Sequence, residues 1–563
     1  MSKITNYNEV SKSYDSTREA ADAHILKSMM ENFTGKTVKE MDIIDIGCGT
    51  GNYADYFLQF EPRSLTLIDA SEGMLSKAKA KLPPGLPKTR LSFKQVVLPD
   101  MPYEDNHFDA AMINLVLHHL EKNPDGKSFP VVSKTLKEVY RILKPGGVLT
   151  IISVTPEQLG ANWFSHLVPE NTQRWHKRLP SHKQLKACLE EAGFSLKSAF
   201  TTLMASYHPD HANPEGPLSE SWRNSISFWG TCTESEIQEM IQNVTRMKSE
   251  GTLQEFYETH EKIDTLGALE MLAARKDIVE NTDAMSKIEN YDEVSKSYDS
   301  TRGATDAYIV KGMMENFTGK TVKDMDMIDI GCGTGNYADY FLQFEPRSLT
   351  LMDGSEGMLA KAKAKLPSDH PKTRLSFKQV VLPDMPYEDN LFDAAMINLV
   401  LHHLERNPDG NSFPEVFKTL KEVYRILKPG AVLTITTATP NQLSGYWLTH
   451  VMPENTQRWH KRLLSHKQLK TCLEEAGFSL KSAFTALIPS HFPGYDNPES
   501  ILSEDWRKNS SFFGTCTEAE IEEAIRNVTR MKKEGTLQEF YETHNKKDTF
   551  GVVEILAARK EIN

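Results

Sequence analysis

Cysteine is scarce in this chain of 563 residues: there are six, none of them in a Cys-x-x-Cys pair. That argues against a disulfide framework and the common zinc arrangements, so no metal is expected and the thiols are read as reduced. Long apolar runs are missing as well. None approaches the ~18 residues that cross a bilayer, and no membrane partner is expected. The opening Met1-Ser2-Lys3-Ile4-Thr5-Asn6-Tyr7 has no apolar stretch of the kind a secretory signal needs, so a cytoplasmic location is expected. Positive charge is in deficit: 65 Lys and Arg face 77 Asp and Glu, a net charge of −12. A nucleic-acid binder wants the opposite balance. What is present, 39 % hydrophobic and 25 % charged residues, is the composition of a folded globular protein.

At roughly 150 residues per domain the length would suggest three or four domains. The chain instead repeats itself. Met1-Ser2-Lys3-Ile4 returns as Met285-Ser286-Lys287-Ile288, and residues 1–279 align with 285–563 without a gap, at an offset of 284. Residues 280–284 remain as a linker. This period is far too long for a solenoid or propeller and marks a duplicated domain. The two halves are expected to pack as a pseudo-dimer.

Within the first copy, Ile25, Leu26, Met29, Met30 and Phe33 recur at helical spacing and predict a helix over 16–33. Short apolar strands are predicted at 42–46, 65–69, 91–97, 108–114, 148–154, 195–202 and 267–274. Helices fall between them, one with Ser71 as its cap and one closed by the breaker Lys144-Pro145-Gly146-Gly147. The alternation predicts a parallel, doubly wound sheet. Residues 155–180 and 203–266 lie outside that pattern and are expected to cover the sheet's ligand edge. The second of these includes a helix from the capping box Thr233-Glu234-Ser235-Glu236.

Between the first strand and its helix lies Asp45-Ile46-Gly47-Cys48-Gly49-Thr50-Gly51-Asn52. Glycines there let the backbone approach a ligand, and the helix start offers amides to a carboxylate or phosphate. Eighteen residues past Gly51, Asp69 ends the second strand, placed to accept from two ribose hydroxyls. Two ligand classes fit: a dinucleotide or S-adenosylmethionine (SAM). The dinucleotide fingerprint spaces its glycines G-x-G-x-x-G, whereas this loop reads G-x-G-x-G with an aspartate ahead.

With Asp69-Ala70-Ser71-Glu72-Gly73-Met74-Leu75, the segment 101–109, Asn114-Leu115-Val116-Leu117-His118-His119-Leu120 and Arg141–Gly147, this loop resembles the class I SAM-dependent methyltransferases of small molecules. The resemblance covers about 45–150 of each copy. It implies two tandem Rossmann-like α/β domains, each with a helical lid. It implies SAM as cofactor, with Gly47, Gly49 and Asn52 along its methionine part. Asp69 and Ala70 would then lie at the ribose, Met74 against the adenine, and Asn114 under the sulfonium. Tyr14 and Arg18 resemble an N-terminal pair that some relatives fold over the cofactor. One position departs from the pattern: where the family has an acid for the adenine amino group stands Val97, so Val97 and Leu98 are expected only as neighbours. In the second copy the same set is Tyr298, Arg302, Gly331, Gly333, Asn336, Asp353, Gly354, Met358, Val381, Leu382 and Asn398.

Methyl transfer from a sulfonium needs chiefly an aligned nucleophile, and a base only if the nucleophile arrives protonated. The base candidates are His118 and His119 at the end of the fourth strand and His166 and His176 after the fifth; of these His119 and His166, with His403 and His450 in the second copy, are put forward, each weighed against a packing or surface role. All seven tryptophans lie outside the strand-and-loop core. Trp163 and Trp222, with Trp447 and Trp506, are candidates for an aromatic box around a cationic or aromatic small-molecule acceptor, against the alternative that they glue the lid down. Cys48 is expected to be inert. An amine nitrogen is the expected acceptor. The alternatives are oxygen of a carboxylate or phenol, a SAM-binding module without turnover, and a nicotinamide dehydrogenase. The copies differ most at 203–216 against 487–500, and also at Trp229/Phe513 and His24/Tyr308. From these differences the halves are expected to differ modestly in substrate, as in successive methylations of one amine, with a fused dimer repeating one reaction as the alternative.

Overall fold

A computed structural model describes residues 20–82, 89–121, 124–204, 212–278, 304, 306–366, 370–405, 408–487, 496–508 and 510–562. The chain divides into two units, Met1–Thr282 and Asp283–Asn563. The division falls inside the linker proposed from sequence, whose own residues lie outside the described set, as do Tyr14, Arg18, Tyr298 and Arg302.

The first unit holds seven strands: β1 (Asp42–Ile46), β2 (Ser64–Asp69), β3 (Arg90–Gln95), β4 (Phe108–Asn114), β5 (Leu143–Ser153), β6 (Ser195–Thr202) and β7 (Leu269–Arg275). Their order is β3-β2-β1-β4-β5-β7-β6. β1 through β5 run parallel, with helices joining β1 to β2, β2 to β3 and β4 to β5, while β3 passes to β4 without one. β7 is antiparallel to both β5 and β6. The second unit repeats this with β8 (Asp326–Ile330), β9 (Ser348–Asp353), β10 (Arg374–Gln379), β11 (Phe392–Asn398), β12 (Leu427–Thr437), β13 (Ser479–Ala486) and β14 (Val553–Arg559). Between β1 and β4 the strand order reverses, and a parallel sheet leaves its crevice at the carboxyl ends of such a pair.

Two boundaries differ from expectation for physical reasons. The helix Pro130–Ile142 passes directly into β5, and Lys144–Gly147 is absorbed as an irregularity in which Leu143 still pairs with Phe108 and Val148 with Ala110. Gly146 takes φ 81° there, and Lys144 reaches Asp109 at 2.9 Å. A breaker that caps a helix in water serves here as a bulge, held by a buried carboxylate. The first helix begins at Ala23, after Asp22 at φ 53°, and lies against β5 and β7.

The segments that follow β5 and β6 form the lid. Its short helices and the 17-residue helix Glu234–Glu250 enclose an aromatic cluster. The Thr233/Glu236 capping box is formed as expected.

Candidate functional site

The glycine loop leaves β1 with Gly47 at φ 72°. A Cβ on Gly47 would sit 2.5 Å from Val116 Cγ2, so the close passage of this loop past the residue after Leu115 demands glycine. Asp69 holds the loop from the end of β2. Its Oδ2 accepts from Gly49 N–H at 2.9 Å and its Oδ1 from Ser71 N–H at 2.8 Å. Asp353 makes the same two bonds at 2.9 and 2.8 Å. Each carboxylate oxygen keeps a lone pair for a further donor. Burial pushes the Asp69 carboxyl upward against the backbone bonds that favour its charge.

Asp45 lies at the bottom of this loop, 2 % exposed, with its Oδ2 unpartnered. Burial first, and then the nearby Asp69 charge, push it up to about 8; the equivalent Asp329 is pushed up to about 7. An acid held neutral by its surroundings is poised to ionise when a cation arrives. The sequence motif contained Asp45, yet no role was attached to it; burial was the missing signal.

At the end of β4, the amide of Asn114 has neither its Oδ1 nor its Nδ2 partnered, although both atoms are buried; Asn398 is the same. Donor and acceptor are thus held ready at the sheet's crevice. The next residue, Leu115, stands at φ 58° and Leu399 at φ 56°, a left-handed conformation that branched side chains adopt at a cost.

Other expected cofactor residues divide. Asn52 and Asn336 engage Lys81 and Lys365 through their side-chain oxygens. Met74 is packed into the core, whereas Met358 is half-buried. Ala70 and Gly354 are exposed, Leu98 and Leu382 half-buried. Val97 and Val381 are 70 % and 68 % exposed, uncovered apolar groups beside the end of β3 and its counterpart. Val97 borders an open groove of about 370 Å³ that also meets Asp100 and Glu138. The Cys48 thiol is buried and its pKa driven far upward, which leaves it unreactive as expected.

A separate cavity of about 80 Å³ opens beside Leu115, between the sheet and the lid, with His118, Phe164, Trp175 and Phe228 in its wall. His118 is buried, with its ring 5.3 Å from that of Trp175 and 3.9 Å from that of His119. The second unit keeps this contact, His402 to Trp459 at 5.4 Å.

Against this wall the residues put forward from sequence divide. His119 and His403 are exposed, and it is His118 that faces the cavity. His166 and His450 are also exposed; His166 bonds Gly160 O and its ring lies tilted 4.6 Å from that of His260, as the His450 ring does 4.6 Å from that of His544. Trp163 and Trp447 are wholly buried, and Trp222 is 6 % exposed, packed 6.4 Å from Trp163. Trp506 is half-buried against Phe513. Neither Trp163 nor Trp222 lines the cavity; their large apolar faces hold the lid together, and Trp175 does the lining. From sequence alone, nothing separated Trp175 from the other three tryptophans of its copy.

Residues 44–151 and 328–435 each match the family described as a methyltransferase domain. A demethylmenaquinone methyltransferase of Leptospira interrogans is 28 % identical over 165 residues, which are 26 % of this chain and 59 % of that protein. A ubiquinone/menaquinone biosynthesis C-methyltransferase, UbiE, of Vibrio cholerae is 26 % identical over 176 residues, 27 % of this chain and 63 % of that protein. The chain therefore spans about three fifths of the length of these relatives. Similar solved structures include an S-adenosylmethionine dependent methyltransferase from Mesorhizobium loti, at 18 % identity and a TM-score of 0.26, covering 42 % of this chain and 92 % of that one. A SAM-dependent methyltransferase from Methanosarcina mazei is 20 % identical with a TM-score of 0.26, covering 32 % of this chain and 91 % of that one.

Proposed function

Each half of the chain carries a class I SAM-dependent methyltransferase domain, and from that premise we propose that the protein methylates a small, largely apolar acceptor, with one SAM site per half. The observation that carries this reading is the Asn114 amide, buried yet unpartnered at the end of β4, next to the aromatic cavity that begins at Leu115. A buried amide without partners costs about 1–3 kcal/mol, a cost best understood if a bound ligand completes it.

The cofactor, when bound, supplies an electrophilic methyl on a sulfonium. The chain's own residues bind and orient. Asp69 and Asp353 accept from the ribose hydroxyls with the lone pairs that the Gly49 and Ser71 amides (Gly333 and Ser355 in the second half) leave open. Asn114 and Asn398 would donate to and accept from the cofactor at the sheet edge, and Asp45, whose carboxyl burial keeps protonated, would lie at the base of the loop that holds it. The wall of the cavity excludes water and holds the acceptor in line, which is the main source of rate in such a displacement. His118, buried in that wall, takes the proton of a hydroxyl acceptor.

On the acceptor, the lining favours an oxygen or ring carbon over the amine nitrogen expected from sequence. Among the described residues no carboxylate faces the cavity, so a protonated amine would find no counter-charge there, only the neutral groups of Asn162, Ser227 and His118 among apolar and aromatic side chains. The two relatives cited by name act, by those names, in quinone methylation. The test is calorimetry with SAM, followed by incubation with methyl-labelled SAM and a panel of phenols, hydroquinones and amines. Two SAM sites per chain and S-adenosylhomocysteine with a labelled phenol or hydroquinone are expected. SAM binding without any S-adenosylhomocysteine would instead indicate a binding module, and labelled amines alone would restore the nitrogen acceptor.

A further inference from the structure

The cavity wall has diverged between the two copies in a way the cofactor site has not. Across the whole alignment 62 of 279 positions differ, but only 12 of the 108 in segment 44–151, and none in Asp45–Asn52. From 152 to 278, 40 of 127 differ. Of the 13 residues that line the first cavity, six change. Two of the 13, Leu115 and His118, belong to the conserved segment, so within 152–278 the rate is six in 11. The lining has therefore changed faster than the lid that carries it.

The changes also have a direction. Val154 becomes Ala438, Phe164 becomes Leu448 and Ile226 becomes Ser510, all losses of apolar bulk; Leu269 becomes Val553. Asn162 becomes Tyr446 and Ala268 becomes Val552, which add volume elsewhere. The first wall thus sets a phenyl ring and branched aliphatics beside the amide of Asn162 and the hydroxyl of Ser227, while at the equivalent positions of the second half that amide and Ile226 give way to the hydroxyl-bearing Tyr446 and Ser510. His118, Trp175 and Phe228 persist as His402, Trp459 and Phe512, so the shared floor of the cavity is kept. A single added or lost methylene in such a pocket shifts preference by about 10–200-fold, and a polar group that finds its partner shifts it further.

We propose that the two halves are specificity-divergent: the first takes an apolar ring, and the second takes a ring that carries an additional hydroxyl or carbonyl, recognised by Tyr446 and Ser510. This rests on the reading of each half as a methyltransferase, but its test does not depend on turnover. The probes are p-cresol and 4-methylcatechol, which differ by one hydroxyl, titrated calorimetrically into the full chain. Two unequal classes of site are expected for each probe, with the order of affinity reversed between the probes by about tenfold. Replacing Phe164→Leu and Ile226→Ser together should weaken the p-cresol site about tenfold. The reverse pair, Leu448→Phe with Ser510→Ile, should create a second tight p-cresol site, and it keeps the test meaningful if the first pair unfolds. Two equal sites for both probes, unmoved by either exchange, or no binding of either ring, would overturn the proposal. Failure of the methyltransferase reading shows up separately, as absence of S-adenosylhomocysteine with every acceptor.

Discussion

Trp222 and Trp506 occupy equivalent places in the two halves, yet one is 6 % exposed and the other is half-buried. The difference traces to a glycine. A Cβ on Gly216 would lie 2.6 Å from the Trp222 indole, so the ring fits flat against bare backbone. In the second half Ser500 stands there, Pro217 has become the fully buried Ile501, and the indole packs against Phe513 at 5.6 Å. Two nearly identical domains thus solve lid packing differently while Asp69 and Asp353 keep the same bonds to within 0.1 Å. Divergence is tolerated where apolar groups can repack, and is resisted where a carboxylate must meet two fixed amides.

The comparison breaks most sharply if one cofactor site is removed. Asp69→Asn should cut SAM affinity in the first half by more than a hundredfold, reducing calorimetric stoichiometry from two to one; Asp353→Asn should do the same in the second half. If the products left by the two variants differ, the halves act on different acceptors. Next in size, Gly47→Ala forces a Cβ to 2.5 Å from Val116 at φ 72° and should cost about 1–3 kcal/mol in denaturant unfolding. Gly331→Ala, 2.4 Å from Val400, should match it, and unequal costs would show that the loops are not equivalent. Gly216→Ser should destabilise the first half by about 1–2 kcal/mol and red-shift its tryptophan emission as Trp222 is pushed outward. The smallest effect concerns pH. Asp45 at about 8 and Asp329 at about 7 sit above the unfolded value of ~3.9, so the folded form binds more protons and stability falls as pH rises from about 4. That fall should end about one pH unit later in the first half, and Asp45→Asn should remove its share of the slope.

Much of this was legible in the sequence. The duplication, the strands that form the parallel part of the sheet, the glycine loop, Asp69 and Asn114 all follow from local pattern, because a strand–loop–helix joint is set by residues adjacent in the chain. The antiparallel seating of β7 was not legible, since nothing within Leu269–Arg275 records which way its neighbours run. Which tryptophan lines the cavity was hidden for a related reason. Whether an indole lines a cavity or fills a core is decided by helices tens of residues away, and Trp175 differs from Trp163 only in what the lid presses against it. His118 and His119 adjoin in sequence, yet a single 3-10 turn buries the first and exposes the second. Asp45 was visible but mute, because its chemistry comes from the absence of partners rather than from its identity.

The left-handed backbone at Leu115 and Leu399 bears on how this protein would respond to selection for stability. Such a conformation costs a leucine about 1–2 kcal/mol, and glycine relieves it. A library screened for heat resistance alone would therefore be drawn to glycine at these two positions. That replacement would free the peptide that aims Asn114 and strip a side chain from the cavity wall. If the proposed site is right, precision and thermal hardiness are opposed at this residue, and robustness is better sought at the opposite end of the strands, where Lys36, Lys144 and Asp109 already meet.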